Sequence, residues 1–226
     1  MNYAILVAAG SGNRMNSQIP KQYMLLKDKP LLYYTVHRFL QFDPTLIIIL
    51  VLPEGDQQGR QMMEQYFPSA ENIRYIAGGS TRFHSVQNGL RAIPDEEGIV
   101  WIHDGVRPFV SEAVLKRCRN MALEQGVAIP AIQLKDSLRK VMKTESQALN
   151  RSEIVAIQTP QTFQIKTIKK AFETQYQESF TDEASVLEWH GGKIVLVEGN
   201  EENFKITTPF DFQMAACLLE QDPLFS

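Results

Sequence analysis

Two isolated cations follow a stretch of very small residues near the start of the chain. The segment AAGSGNRM (8–15) comes directly after the apolar run YAILV, and PKQY (20–23) follows it. Small side chains would let main-chain amides approach a polyphosphate closely; they stand at Ala8, Ala9, Gly10 and Gly12. Arg14 and Lys21 would supply compensating positive charge, and Pro20 would restrict the chain before Lys21.

The glycines of this loop do not match two standard phosphate-binding loops. A Walker loop needs G-x-x-x-x-G-K-[ST], and Met15 replaces the third glycine of G-x-G-x-x-G. An isolated Gly-x-Gly is also typical of a plain surface turn. The interpretation as a phosphate site therefore depends on what accompanies it.

A carboxylate ends another apolar run, IVWIHDGVRPF (99–109). Asp104 would lie at the carboxyl end of a strand, the place where Mg²⁺ on a nucleotide phosphate is held. An Asp that caps a helix or binds loop amides is the alternative. Together with the first loop, Asp104 favours a metal site. We interpret the adjoining His103 as a packed or hydrogen-bonded residue, not a ligand.

A second glycine pair lies in GGSTRFHS (78–85). Arg82 and Ser85 are three residues apart and would share one face of a helix's first turn, where anions bind favourably.

Three later segments place four polar residues near the ends of predicted elements: Thr159, Thr181, Asp182 and Lys205. The segments are QTPQTF (158–163), TDEASVLE (181–188) and NFKITTPFDF (203–212). Thr181 or Asp182 is also expected to cap a helix.

The elements that must position these residues alternate between strands and helices. Continuous apolar runs predict strands buried on both faces at 3–9, 46–52, 73–78, 98–104, 127–134 and 193–199. Helical patterns fall at 31–42, 56–66, 82–93, 111–124, 166–177, 182–190 and 210–220. The alternation predicts an α/β fold with a doubly wound, mostly parallel sheet and right-handed crossovers.

The segment 135–158 interrupts this alternation, because it is polar and contains no helical pattern of useful length. A hairpin arm that projects from the sheet and a plain surface flap would both explain it.

Composition sets limits on the class of protein. The 226 residues, 44% hydrophobic and 22% charged, are ordinary for a globular enzyme. The net charge of −3 and the scattered basic residues argue against binding to nucleic acid.

The longest apolar run is too short to cross a bilayer and no signal-like segment opens the chain, so we expect a cytoplasmic protein. Cys118 and Cys217 each lie in register with an apolar helical face and are predicted to be core thiols.

Several spaced motifs, taken in order, resemble one family from end to end. The chain is similar to the 2-C-methyl-D-erythritol 4-phosphate cytidylyltransferases of the non-mevalonate isoprenoid pathway. The matching segments are AAGSGNRM, PKQY, GGSTRFHSV, HDGVRPF, Arg151 of LNRSEI, QTPQTF, TDEASVLE and NFKITTP. The resemblance implies one Rossmann-like domain of the nucleotide-diphospho-sugar transferase type over 1–226, which binds CTP. It also implies a homodimer in which a β-arm at about 135–158 reaches the neighbouring subunit.

The resemblance assigns roles residue by residue. Arg14, Lys21 and Lys205 would contact the reacting phosphates as catalytic residues, and Asp104 would bind Mg²⁺. The nucleotide would contact the first loop together with Gly79, Ser80, Arg82, Ser85 and Gly105. The acceptor, methylerythritol phosphate, would contact Arg107, Thr159 and Thr181, and the partner's arm would hold its phosphate through Ser137 and Arg151.

This sequence departs from the family at three of these positions. Ser137 stands where Thr is common, Gly105-Val106 replaces a common Ala-Ala, and Ser80 occupies an often acidic position. A ribitol-5-phosphate cytidylyltransferase is the nearest alternative by resemblance; AAG in the first loop and TDEASVLE favour methylerythritol phosphate. A sugar-1-phosphate nucleotidyltransferase that uses another nucleotide and a noncatalytic CTP-binding regulator are further alternatives.

Overall fold

A computed structural model describes residues 1–10, 19–68 and 70–222. An eight-stranded sheet lies at its centre. The strands of this sheet are β1 (Tyr3–Val7), β4 (Ile47–Leu52), β5 (Ile73–Ala77), β6 (Ile99–Asp104), β7 (Val127–Gln133), β10 (Val155–Ile157), β11 (Gln161–Gln164) and β12 (Leu196–Glu198). Two short pairs lie outside it, β2 (Leu25–Leu26) with β3 (Lys29–Pro30) and β8 (Leu138–Val141) with β9 (Ser146–Leu149).

The sheet is mostly parallel, with the order β10-β7-β11-β6-β1-β4-β5 and β12 paired with β7. Strand β1 pairs in parallel with both β4 and β6, and β4 pairs in parallel with β5. Strand β11 is antiparallel to both of its neighbours, so β6 and β7 run in the same direction. This arrangement confirms the predicted doubly wound α/β class.

Helices cover both faces of the sheet. They are α1 (Leu31–Phe42), α2 (Gln57–Tyr66), α3 (Arg82–Arg91), α4 (Glu112–Gln125), α5 (Ile165–Ala171), α6 (Glu183–Trp189) and α7 (Pro209–Gln221). Strand β4 shows why both faces need cover, since its six residues are all buried. Ile47, Ile49 and Val51 face one core, and the alternate residues Ile48, Leu50 and Leu52 face the other.

Most predicted elements are confirmed within one or two residues. The helix predicted over 166–177 is shorter and ends at Ala171, because the chain turns at Phe172, whose amide reaches the carbonyls of Ile168 and Lys169. Strand β12 likewise covers only Leu196–Glu198 of its predicted run.

Cys118 is buried as predicted, but the prediction for Cys217 is wrong. Helix α7 buries Ala215 and Leu219, which pack on Leu26, Leu31 and Ile206. The face that was predicted to be buried is turned outward, with Phe210 68% and Met214 43% exposed, and Cys217 lies on it as an exposed free thiol.

The excursion at 135–158 contains the antiparallel hairpin of β8 and β9. Leu138 pairs with Leu149 and Val141 with Ser146. Residues 139–153 are all exposed. The sequence left two alternatives open for 135–158, a hairpin and a plain surface flap. The structure shows the hairpin.

Candidate active site

Three loops meet at the carboxyl edge of the parallel strands. Main-chain bonds hold them there: the Ala8 amide donates to the Val51 carbonyl at 2.8 Å, and the Gly105 amide donates to the Val7 carbonyl at 2.9 Å. A cavity of about 550 Å³ opens between the loops. It is lined by Val7, Ala8, Ala9, Gly10, Lys21, Gln22, Gly79, Ser80, Thr81, Arg82, Ser85, Asp104, Val106 and Lys205.

The structure therefore brings together ten residues that the sequence singled out, from five separate segments. They are Ala8, Ala9, Gly10, Lys21, Gly79, Ser80, Arg82, Ser85, Asp104 and Lys205. The predictions for Gly12 and Arg14 lie outside the described residues. Gly105, Arg107 and Thr159 are not among the lining residues, but they form hydrogen bonds with Asp104 or with its neighbour Val7.

Gln22 fixes the first loop, and sequence reasoning missed it. Its amide nitrogen Nε2 donates to the carbonyl of Ala8 at 3.0 Å and to that of Gly10 at 3.3 Å. The side chain of Gln22 is almost completely buried. The one signal in the sequence for its role is its position directly after Lys21 in PKQY. Because Gln22 holds the start of the loop, the neighbouring Lys21 is kept at the cavity. The Nζ atom of Lys21 donates to the Ile206 carbonyl at 3.1 Å.

Asp104 is the centre of a charge cluster. Its Oδ2 atom accepts from Lys205 Nζ and from Arg107 Nε, both at 3.1 Å, and its Oδ1 atom accepts from Arg82 Nη1. The side chain of Asp104 is only 6% exposed, whereas that of Lys205 is 39% exposed. Lys205 is thus the partner that can most readily turn from the carboxylate toward a ligand in the cavity.

The cations determine the ionisation of Asp104. Burial alone would raise the pKa of Asp104, but the charges of Arg82, Lys205 and Arg107 together outweigh it and hold the pKa well below its usual value. Asp104 is consequently a carboxylate at all physiological pH values.

Arg82 has a second acidic partner, Glu183, which sequence reasoning did not assign to the site. The Nε and Nη2 atoms of Arg82 donate to the two carboxylate oxygens of Glu183 at 3.0 and 3.1 Å. Glu183 is the first residue of α6, whose N-cap Asp182 forms a capping box with Ser185. Burial raises the pKa of Glu183, since a single guanidinium offsets less of the cost of burial than three cations do at Asp104.

A fully buried histidine lies behind Asp104. The Nε2 atom of His103 is 2.9 Å from the Arg107 carbonyl oxygen, and its Nδ1 atom is 3.0 Å from Thr159 Oγ1. Burial lowers the pKa of His103 to about 4, although the hydrogen bond to Arg107 acts in the opposite direction. This confirms His103 as a packed, hydrogen-bonded residue.

The second glycine pair forms the opposite wall. The Gly79 amide donates to Ser85 Oγ at 3.1 Å, and Thr81 caps α3. A Cβ atom on Gly79 would come within 2.4 Å of the Cβ atom of His84, so the main chain can pack on the first turn of α3 only without a side chain. Ser80 Oγ lies 3.2 Å from His84 Nδ1.

Three further predicted acceptor contacts, like Arg107 and Thr159, do not line the cavity of this chain. Ser137 and Arg151 flank the exposed hairpin, and both are exposed. Thr181 is exposed just before α6. Their predicted roles remain predictions.

Among the described residues, no group of three or more His, Cys, Asp or Glu side chains is placed to hold a metal ion. A metal at this site would have Asp104 as its one protein carboxylate.

The helices in the described part of the chain include none that is both long enough and apolar enough to traverse a bilayer.

A Rossmann-like sheet with small-residue loops and with cations clustered around the buried Asp104 at its carboxyl edge is typical of a nucleotidyltransferase. Comparison with known proteins gives the family. The family model for 2-C-methyl-D-erythritol 4-phosphate cytidylyltransferase matches residues 2–221. A relative of that name from Bacteroides thetaiotaomicron is 43% identical over 95% of this chain and 98% of its own. One from Geobacillus kaustophilus is 38% identical over 97% of each chain.

Solved structures agree with these sequence relatives. The 4-diphosphocytidyl-2C-methyl-D-erythritol synthase of Anaerococcus prevotii superposes with a TM-score of 0.83 at 30% identity, over 97% of this chain and 96% of that one. The bifunctional IspDF of Campylobacter jejuni gives a TM-score of 0.78 at 30% identity, over 94% of this chain and 53% of that one. The chain belongs to the 2-C-methyl-D-erythritol 4-phosphate cytidylyltransferase family.

Proposed function

We propose that this chain transfers the cytidylyl group of CTP to 2-C-methyl-D-erythritol 4-phosphate. The products are 4-diphosphocytidyl-2-C-methyl-D-erythritol, an isoprenoid precursor, and pyrophosphate. Membership of the family gives the cytidylyltransferase activity. The observation that carries the assignment of the site is the cluster of Arg82, Arg107 and Lys205 around the buried Asp104, at the wall of a cavity that small-residue loops form.

The reaction brings two polyanions together, and this explains the cations. Each pair of unit charges at about 4 Å repels by about 4 kcal/mol at an effective dielectric constant near 20. Lys21 and Lys205 line the cavity and would offset this repulsion at the triphosphate. Arg14 belongs to the same proposal from its place in the first loop, although it lies outside the described residues.

No covalent nucleophile is required from the protein. The phosphate of the acceptor is already an ionised nucleophile near neutral pH, and it would attack the α-phosphorus of CTP in line with the departing pyrophosphate. Catalysis then comes from positioning and from stabilisation of the charge that moves onto the leaving group. Lys21, held beside the loop by Gln22, is placed for the second task.

A divalent cation fits the chemistry of Asp104. Mg²⁺ is bound in such enzymes through one or two carboxylates and is completed by substrate phosphates and water. Asp104 supplies one ionised carboxylate, and Lys205 can leave its Oδ2 atom when phosphates enter. When bound, Mg²⁺ neutralises phosphate charge. Arg82 would stay in place through Glu183 while Asp104 exchanges its partner.

We further propose that the acceptor's phosphate is held by the arm of a second copy. Val141 at the tip of the β8–β9 hairpin is 82% exposed. A two-stranded hairpin is marginally stable alone, so contact with a partner would stabilise it. In a homodimer with exchanged arms, Ser137 and Arg151 would enter the partner's site.

The free thiols of Cys118 and Cys217 fit a reducing, cytoplasmic location.

Pyrophosphate release tests the proposal. CTP and Mg²⁺ are incubated with methylerythritol phosphate, with ribitol 5-phosphate or with no acceptor, and UTP and GTP replace CTP in parallel reactions. Release only with CTP and methylerythritol phosphate is expected. Release with ribitol 5-phosphate instead would reassign the acceptor, and tight CTP binding without release in any reaction would contradict the catalytic proposal.

A further inference from the structure

Lys205 projects from a segment that is anchored on both sides of it. On one side, the Ile206 amide donates to the Val106 carbonyl at 3.0 Å. On the other side, the Nδ2 atom of Asn203 donates to the Thr159 main-chain carbonyl at 2.7 Å. Lys205 thus lies between two fixed points of the main chain, and this limits the directions that its side chain can take.

Two buried amide side chains join this segment to the chain around Thr159, and they point in opposite directions. Asn203 reaches from the Lys205 segment to the Thr159 carbonyl. Gln158 reaches back: its Nε2 atom donates to the Asn200 carbonyl at 2.8 Å, and its Oε1 atom accepts the Asn200 main-chain N–H at 3.3 Å. Asn203 is 0% and Gln158 is 3% exposed. We call Asn203 and Gln158 the amide pair.

The glycine that opens the segment shows how closely the two parts of the chain approach. The Gly199 amide donates to the Ala131 carbonyl of β7 at 2.9 Å. A Cβ atom on Gly199 would come within 2.3 Å of Gln158 Oε1. The segment therefore lies directly against β7, and the amide pair sets its position there.

Asn203 also influences what surrounds the charged end of Lys205. Its main-chain carbonyl accepts from Arg107 Nη1 at 2.7 Å. Arg107 Nε and Lys205 Nζ bond the same atom, Asp104 Oδ2, each at 3.1 Å. Because Asn203 itself is completely buried, it acts on this cluster through its neighbours and not through contact with a ligand.

We propose that Asn203 is a positioning residue that, together with Gln158, holds Lys205 in the orientation that the reaction requires. This inference rests on the proposed cytidylyl transfer, in which Lys205 contacts the reacting phosphates. Loss of the Asn203 amide should therefore remove most of what Lys205 contributes, although the lysine itself remains.

Steady-state pyrophosphate release by single and double variants tests this role. Asn203→Leu keeps a similar side-chain volume and loses the amide. It should lower kcat by roughly 10- to 100-fold, since a misplacement of about 1 Å can cost about 100-fold. If Asn203 acts through Lys205, the same substitution should change kcat by less than about 2-fold in a Lys205→Ala background. Equal losses in both backgrounds would show a general structural role and would overturn the proposal.

Two further variants control for folding. Asn120→Leu makes the same exchange at an exposed position of α4 and should keep full activity. Gln158→Met removes the other half of the amide pair, and its effect on kcat should likewise disappear in a Lys205→Ala background. Circular dichroism establishes whether each variant is folded. If Asn203→Leu does not fold, Gln158→Met decides between the same two outcomes.

A second measurement does not depend on catalysis. Hydrogen exchange of the Ile206 amide is followed by NMR in the substrate-free protein, for wild type and for Asn203→Leu. Exchange about 10-fold faster in the variant is expected, the effect of one lost hydrogen bond on local opening, relative to the buried strand β4, which reports global unfolding. Unchanged exchange at Ile206 would overturn the proposal even if cytidylyl transfer were established. Faster exchange in a protein that releases no pyrophosphate would contradict cytidylyl transfer and not the role of the amide pair.

Discussion

Arg82 lies between two carboxylates, with its Nε and Nη2 atoms bonded to Glu183 and its Nη1 atom bonded to Asp104. Glu183 is almost completely buried and bonds both of its oxygens to this guanidinium. The pair therefore keeps Arg82 in position independently of what Asp104 binds.

Replacement of Glu183 by Gln should destabilise the protein and alter its response to the cation. Removing one partner of a buried ion pair costs about 3 kcal/mol, which urea unfolding would measure. Arg82 would then bind Asp104 more strongly, so a higher Mg²⁺ concentration should be needed for half-maximal rate. Glu188→Gln is the matched control, since Glu188 is exposed on the same helix. Equal stability of the two variants would contradict the role of Glu183.

Lys21→Ala should lower kcat by roughly 10²- to 10³-fold, by analogy with the loss of one group that stabilises developing charge. The side chain of Lys21 lines the cavity at the carboxyl edge of the sheet. Lys166→Ala, which removes an exposed lysine of α5, is expected to keep full activity. Circular dichroism would confirm that both variants are folded. Near-full turnover by folded Lys21→Ala would remove Lys21 from the catalytic assignment.

Arm exchange predicts that two inactive variants restore each other. Asp104→Asn should inactivate a site from within its own subunit, and Arg151→Ala should inactivate the site of the partner. Co-expression of the two, with different affinity tags, would form heterodimers in which one site has both intact residues. Activity of the doubly purified heterodimer is the expected result. If the arm served its own subunit, each subunit would keep one defect and the heterodimer would be inactive.

The two cysteines should react at very different rates. Burial raises the pKa of Cys118 to about 12, which leaves little thiolate at pH 8, whereas Cys217 is exposed. One thiol should be alkylated quickly by iodoacetamide in the native protein and a second only in guanidinium, as followed by mass spectrometry. Cys217→Ser should abolish the fast reaction. A fast reaction that persists in this variant would mean that Cys118 is accessible.

Tyr23 should make the protein less stable at alkaline pH. Its hydroxyl donates to Asp56, the N-cap of α2, at 2.6 Å, and burial followed by this bond raises its pKa above the ordinary value of 10.0. Because the folded protein keeps a proton that the unfolded chain loses, the free energy of unfolding should fall as pH rises above about 10.

Tyr23→Phe should reduce that fall, and it should cost about 1 to 2 kcal/mol at neutral pH, where a buried hydrogen bond is lost. Urea unfolding between pH 7 and 11 measures both effects. Tyr176→Phe, at an exposed tyrosine, is the control. An unchanged pH profile in Tyr23→Phe would show that Tyr23 does not contribute to the alkaline loss.

The elements that could be predicted from sequence are those whose residues share one environment. Strands β4 and β6 are buried along their whole length, and their continuous apolar runs indicate this directly. Strand β11 lies in the middle of the sheet, but its sequence, QTFQ, is mostly polar and is typical of a loop. Its Gln161 is buried because Nε2 donates to Asp182 and Oε1 accepts from the Ala184 amide, so α6 satisfies a side chain that no local pattern explains.

The residues of the site likewise fall into two groups, those that the sequence indicates and those that only the fold brings together. Asp104, Lys205 and the first loop could be found because each combines a chemical group with a place at the end of an element. The bond between Arg82 and Glu183 could not, since the two residues are 101 positions apart and only the folded chain joins them. The choice of buried face on α7 was likewise set by tertiary contacts, and Cys217 was misassigned for that reason.

The hairpin departs from and returns to residues that are already neighbours, since Gln133 at the end of β7 pairs with Val155 at the start of β10. A tight turn could join these two positions without moving either strand. The hairpin is in this sense an insertion between two paired strand ends, and a change in its length need not move either strand. Excision of the hairpin at this junction is expected to leave the sheet and its cavity in place, because none of the described cavity-lining residues belongs to it.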